Sequence, residues 1–112
     1  MTEATLVRAR IKPGKTERLR TWFTELSDRE DEVLETLHHE GMYTETAFIE
    51  TTDDSDYFYM FMEAADMEVA DEAGDEEAYE IDEQHHEVLA ETLTDDDRKF
   101  ESIGHFTNPD RT

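Results

Sequence analysis

Tyr57-Phe58-Tyr59-Met60-Phe61-Met62 is the stretch whose reading decides the fold. Side chains alternate across a strand, so residues two apart share a face. Tyr57, Tyr59 and Phe61 line one side, and Phe58, Met60 and Met62 line the other. A strand that is apolar front and back needs cover on both faces. One layer of helices covers only one of them. The stretch therefore predicts a sheet with helices on one face and a second apolar layer on the other.

The neighbouring segments extend that sheet. Met42 to Thr52 reads as a strand, Asp53-Asp54-Ser55-Asp56 as a polar turn and Tyr57 to Ala65 as the strand that follows, which together make a hairpin. Ala4 to Lys12 is a further strand, with Val7, Ala9 and Ile11 on one face and Leu6, Arg8 and Arg10 on the other. Pro13-Gly14 ends it. Leu19, Trp22, Phe23 and Leu26, then Val33, Leu34 and Leu37, recur in helical steps of three and four. Ser27-Asp28-Arg29-Glu30 has capping-box spacing and predicts a break in that helix, and Gly41 a terminator. Asp66 to Ala73 reads as a short helix closed by Gly74. Asp75 is a candidate cap for a helix running to about Leu93, whose inner stripe is Ala78, Ile81, His85, Val88 and Leu89. Thr94-Asp95-Asp96-Asp97 is expected to break it, before a weaker last strand from Lys99 to Phe106 and a loose tail from Thr107. The order is β-α-β-β-α-β, the ferredoxin-like split unit, in one α+β domain over residues 1–112.

Charge constrains the setting. The 112 residues hold 32 Asp+Glu against 10 Lys+Arg, a formal net charge of −22. Such an excess strains a compact fold through self-repulsion, which molar salt screens to a Debye length of about 3 Å. The periodic apolar residues argue against disorder. Three lysines beside seven arginines, with acids spread along the whole length, resemble the surfaces of haloarchaeal cytosolic proteins. A DNA mimic or a docking partner for basic proteins is the rival reading. Nucleic acid is not an expected ligand, since phosphate binding needs clustered Lys and Arg. No cysteine is present, so disulfides and thiolate metal sites are excluded. No apolar run approaches a membrane span, and the first residues lack a signal-peptide pattern, so a cytoplasmic location is expected.

Several short motifs carry a resemblance. They are Val7-Arg8 with Lys12-Pro13-Gly14-Lys15, Glu40-Gly41-Met42-Tyr43 with Glu45, and Tyr79-Glu80-Ile81-Asp82 with His85. With the element order, they resemble the dimeric α/β-barrel superfamily, and within it a small family known as a domain of unknown function. The superfamily includes antibiotic-biosynthesis-type monooxygenases, stress-responsive barrels and sugar mutarotases. The resemblance implies a ferredoxin-like fold and a homodimer whose sheets pack face to face. It supplies no activity.

Candidate chemistry rests on a few polar residues. Asp82 and His85 lie three apart on the apolar helix face, where a carboxylate could orient an imidazole and keep it charged for proton transfer. The structural alternative is a satisfied half-buried histidine. Glu45 shares a strand face with Tyr43, Ala47 and Ile49, and Glu50 one with Met42, Thr46 and Phe48. A carboxylate among apolar neighbours requires a partner, and Arg8 and Arg10 are candidates. Glu45 with Arg8, Tyr59 and His85 would suit a small polar ligand in a pocket; the alternative is an internal salt bridge. The pairs His38-His39 and His85-His86 diverge by about 100° on a helix and do not chelate alone. The seven acids between Asp66 and Glu77 lack the pattern of a calcium loop and read as a solvated face. No phosphate loop, nucleophile triad or zinc motif appears, and no metal or cofactor is expected. The sequence supports a small-molecule pocket with cofactor-independent oxidation or isomerisation chemistry. A non-catalytic binding or stress-related dimer, or an acidic partner for a basic protein, are the alternatives.

Overall fold

A computed structural model of the protein describes residues 2–110. Chain order is β1 (Glu3–Ile11), α1 (Thr16–Asp28), α2 (Glu30–Glu40), β2 (Met42–Thr51), β3 (Asp56–Ala64), α3 (Met67–Asp75), α4 (Glu80–Thr92) and β4 (Leu93–Phe100). The strands form one antiparallel sheet in the order β2-β3-β1-β4. This is the ferredoxin-like unit, with each of its two helical legs split in two. The doubly apolar strand β3 sits at the sheet interior between β1 and β2, where its two faces are most fully used.

Register assigns every side chain to a face. Val7 stands opposite Met60 and Ala9 opposite Phe58 across β1 and β3; Ala47 stands opposite Met60 and Ile49 opposite Phe58 across β2 and β3. This set faces the helices. Ile11, Leu19, Trp22, Phe58, Met60, Ile81 and Val88 form the main core, and Met42 and Ala64 of the sheet with Met67 and Ala70 of α3 form a second cluster. Leu19 is fully buried. Truncating such a leucine to alanine costs about 2–5 kcal/mol.

The helix break falls where the sequence placed it, by a different device. Arg29 leaves helical geometry between α1 and α2, but no side chain caps either end there. Ser27 Oγ donates instead to the Phe23 carbonyl at 3.0 Å. The Arg29 guanidinium ties the corner together, pairing with Glu25 at 2.9 Å and Glu32 at 2.8 Å and donating to Gln84 on α4 at 2.7 Å. Gly41 ends α2 with φ of 73°, a left-handed conformation that glycine adopts without Cβ strain.

Three boundaries differ from expectation. β4 begins at Leu93 and ends at Phe100, so Thr94–Asp97 lie inside a strand. The acids there read as a turn, but on an edge strand they point to water, and β1 supplies the pairing. Asp75 closes α3 and does not cap α4; the cap is Tyr79, whose backbone N–H donates to Asp82 Oδ2 at 3.1 Å. A register shift between Met42 and Thr44 turns Tyr43 outward, 55% exposed, and puts Met42 on the helix side against Ala64. Strict alternation had placed Met42 with Glu50. Bulges of this kind reset the parity of everything on one side of them.

Residues 101–110 form no strand or helix, and Arg111 and Thr112 lie outside the described residues. His105 anchors this segment, with its Nε2 at 3.0 Å from Glu63 Oε2 and 2.9 Å from Thr2 Oγ1. Glu63 is almost wholly buried. It also accepts from Thr2 at 3.0 Å and from Thr44 at 3.4 Å, the hydrogen bonds that a buried carboxylate needs.

Candidate functional site

The helices do not close completely on the sheet. Between them lies a partly open cavity of about 770 Å³. Val7, Ala47, Met60 and Met62 form its floor, and Phe23, Leu26, Val33 and Leu89 its roof. Carboxylates stand at its edge: Glu40 from the last turn of α2, Glu45 from β2, Asp71 from α3 and Asp82 from the first turn of α4. His85 enters from α4. The volume falls within the range of ordinary small-molecule pockets.

The electrostatics of this edge follow from crowding. Glu40 is half-buried, and burial, then Glu45, Asp82 and Asp71, raise its pKa from 4.5 to about 7. Glu45 is reached by water yet walled by protein, and burial followed by the charge of Asp82 raises its pKa as well. Like charges close together disfavour ionisation of one another. Glu40 thus holds a carboxyl poised near neutral pH, the property expected of a general acid or base, and Glu45 is shifted in the same direction.

His85 is held in one tautomer. The Trp22 indole Nε1–H donates to His85 Nδ1 at 2.8 Å, so the ring proton resides on Nε2. Phe23 meets the ring edge-on at 6.0 Å between centroids. Burial, with a smaller contribution from His86, lowers the pKa of His85 from 6.5 to about 4. The imidazole is therefore neutral at neutral pH, contrary to a histidine kept charged by Asp82. Asp82 is engaged instead as the cap of α4. A neutral His85 offers an Nε2–H donor, and its one basic nitrogen is already occupied.

The structure also separates the residues expected to share one pocket. Glu45, Asp82 and His85 meet on the helix side of the sheet. Arg8 is among the residues around the cavity, but its guanidinium stands 4.6 Å over the Tyr57 ring on the opposite face. Tyr59 is on that opposite face too, donating to Glu50 Oε1 at 2.7 Å and stacking on Phe100. The cause is parity: Arg8 pairs with Tyr59, one residue out of step with Val7 and Met60. Glu50, not Glu45, is the carboxylate that belongs with Arg8 and Tyr59.

Glu40 is the site residue that sequence reasoning missed. Its signal was present: a carboxylate in the last turn of a helix, just before the Gly41 terminator, sits against the negative end of the helix dipole. A residue placed against its electrostatic preference calls for an explanation. Glu40 also packs closely on α3, where a Cβ at Gly74 would lie 3.3 Å from its Oε2. The other histidines are engaged separately, His86 Nδ1 with Glu77 at 2.9 Å and His39 against Glu76 at 4.0 Å. Among the described residues, no group of three or more His, Asp or Glu is placed to hold a metal ion.

The chain belongs to a family of unknown function (DUF6176), whose model matches residues 2–111. No curated protein matches it. Solved structures share its fold. A candidate antibiotic biosynthesis monooxygenase from Bacteroides thetaiotaomicron is 12% identical, with 99% of this chain and 96% of that one covered and a TM-score of 0.64. A cofactor-independent oxygenase from Streptomyces nogalater, SnoaB, is 14% identical over 96% and 98%, with a TM-score of 0.58. A conserved protein from Methanosarcina mazei is 17% identical over 89% of each chain, with a TM-score of 0.59. At such identities the likeness is one of fold: a ferredoxin-like α+β domain of the kind found in antibiotic biosynthesis monooxygenases. No helix of the described residues is long and apolar enough to cross a membrane.

Proposed function

We propose that this protein binds a small, largely apolar molecule between its sheet and helices and moves a proton on it. Proton abstraction from a weak C–H or O–H acid is the first step shared by isomerisation and by oxygenation without a cofactor. Glu40 would take the proton, with Glu45 and Asp82 keeping its basicity near neutrality, and His85 would donate from Nε2 to the oxygen on which charge develops. The observation that carries this reading is the coincidence, in one cavity, of apolar walls, a carboxyl poised at about 7 and a neutral imidazole. The fold's occurrence in a cofactor-independent oxygenase supports it.

The other face of the sheet supports a homodimer. Phe48 is 54% and Phe100 41% exposed there, beside Leu6, Tyr57, Tyr59 and Phe61. Arg8 Nε is buried with no acceptor among the described residues. A second copy packed on this face would cover the rings and bring acceptors to Arg8, and Arg8 and Tyr59 would then belong to the interface. The acidic, lysine-poor surface would suit this dimer to concentrated salt, where repulsion no longer opposes pairing.

Deuterium uptake tests the chemistry. In D2O, 1-tetralone, a flat ketone with slowly exchanging α-protons, should exchange faster with the protein than in buffer, by NMR. The rate should rise through a midpoint near pH 7 and collapse in Glu40→Gln. Exchange at the buffer rate for this ketone and for other apolar C–H acids at millimolar concentration would leave the non-catalytic binding dimer as the better reading.

A further inference from the structure

Given that the cavity is a ligand site, we propose that its ligand carries a cationic head, an ammonium or similar group, on an apolar body. The cavity itself makes the site; the side chains at its edge decide what may enter. Its apolar walls run from Val7 and Met60 to Leu26 and Leu89 and accept a hydrocarbon or aromatic body. Its polar edge is of one sign. Glu40, Glu45, Asp71 and Asp82 converge there, and the only Lys or Arg among the residues around the cavity, Arg8, turns its guanidinium to the far side of the sheet.

An anionic ligand would meet these carboxylates with no cation to offset them. A neutral ligand would leave their repulsion unrelieved. An ammonium on Glu45 meets that negative charge and supplies the hydrogen bond that this carboxylate lacks among the described residues, leaving the Glu40 oxygens free to take the proton. Protein-wide charge acts in the same direction, since a net −22 concentrates cations near the mouth at low salt. Selectivity that persists when this long-range field is screened would come from the cavity alone.

The test uses three probes of one shape: 2-naphthylmethylamine, 2-naphthylmethanol and 2-naphthoate. Affinities are measured by calorimetry on the full chain in roughly 1 M KCl, where the Debye length is about 3 Å. The amine should bind at least about tenfold more tightly than the alcohol, the ratio expected of one charge-assisted hydrogen bond, and the carboxylate should bind most weakly. The double substitution of Glu40→Gln with Glu45→Gln should bring amine and alcohol within about threefold of each other, chiefly by weakening the amine. Both changes remove repulsion, so folding is not endangered. Glu87→Gln, at an exposed acid outside the cavity, should leave the tenfold ratio intact. Alcohol binding as tightly as amine, or a ratio that survives the double substitution, overturns the cationic head and leaves the cavity reading standing. Failure of all three probes to bind at millimolar concentration overturns both.

Discussion

Replacing Glu40 with glutamine should make this protein more stable at pH 8 and leave it unchanged at pH 4.5. The reasoning is linkage. The folded state holds the Glu40 proton up to about pH 7, whereas the unfolded chain releases it near 4.5. Between those values the folded state binds more protons, so its stability falls as pH rises, and the full cost is present above pH 7. Each pH unit of displacement is worth about 1.36 kcal/mol, which gives roughly 3.4 kcal/mol at full strength. Glu40 is only half-buried, and solvent screening reduces this to about 1.5 kcal/mol. Glutamine carries no such cost, and it also removes a negative charge from the C-terminal end of α2. Thermal melts of both proteins in molar KCl, at pH 4.5, 6 and 8, supply the difference. High salt suppresses the background titration of the surface acids, and comparison with the wild type cancels what remains. The variant should gain roughly 5–10 °C at pH 8 and nothing at pH 4.5. Parallel curves at every pH would show that Glu40 is an ordinary solvated carboxylate, and the general-base role would fall with it.

Three further outcomes follow from the same geometry. Trp22 is the chain's one tryptophan, and its indole donates to His85, so its emission should change as His85 protonates, with a midpoint near pH 4; a midpoint near 6.5 would mean that the ring is not held neutral. Because the folded pKa of His85 lies below its unfolded value, stability should also fall as pH drops from 6.5 to 4, by about 3 kcal/mol at most, and His85→Phe should flatten that slope in urea titrations. In strong brine the wild type should be a dimer by light scattering, and Phe48→Glu, on the bare sheet face, should yield a monomer with the fold intact by circular dichroism. The melting temperature of the wild type should rise markedly from dilute buffer to roughly 2 M KCl, whereas identical melts would remove the case for salt adaptation.

Much of the architecture was legible because β3 states it outright. Six apolar residues in alternating register admit few placements other than a sheet interior, and the helical stripes of Leu19, Trp22 and Leu26 supply one cover. What strict alternation could not show was a bulge: the shift at Tyr43 moves Met42 across the sheet, and only the three-dimensional register reveals it. Edge strand β4 was obscured for a related reason, since a solvated strand carries the acids of a turn. The motif containing Asp82 and His85 lies on α4 and borders the cavity. Their partners were not legible, because hydrogen bonds are made across elements. Trp22 reaches His85 from 63 positions away, and Asp82 turns back to its own helix cap. The side of the sheet taken by Arg8 and Tyr59 was not legible either, because period-two patterning leaves free which face lines the pocket.

Methionine methyl groups offer the most direct view of the cavity. Of five methionines in the chain, Met42, Met60 and Met62 border it, and Met67, the first residue of α3, is buried outside it. With 13C-labelled methionine methyls, titration with 2-naphthylmethylamine should shift the resonances of Met42, Met60 and Met62 through ring currents and leave Met67 in place. Shifts absent from all three, or a probe that perturbs only the face bearing Phe48 and Tyr59, would contradict a ligand site between sheet and helices.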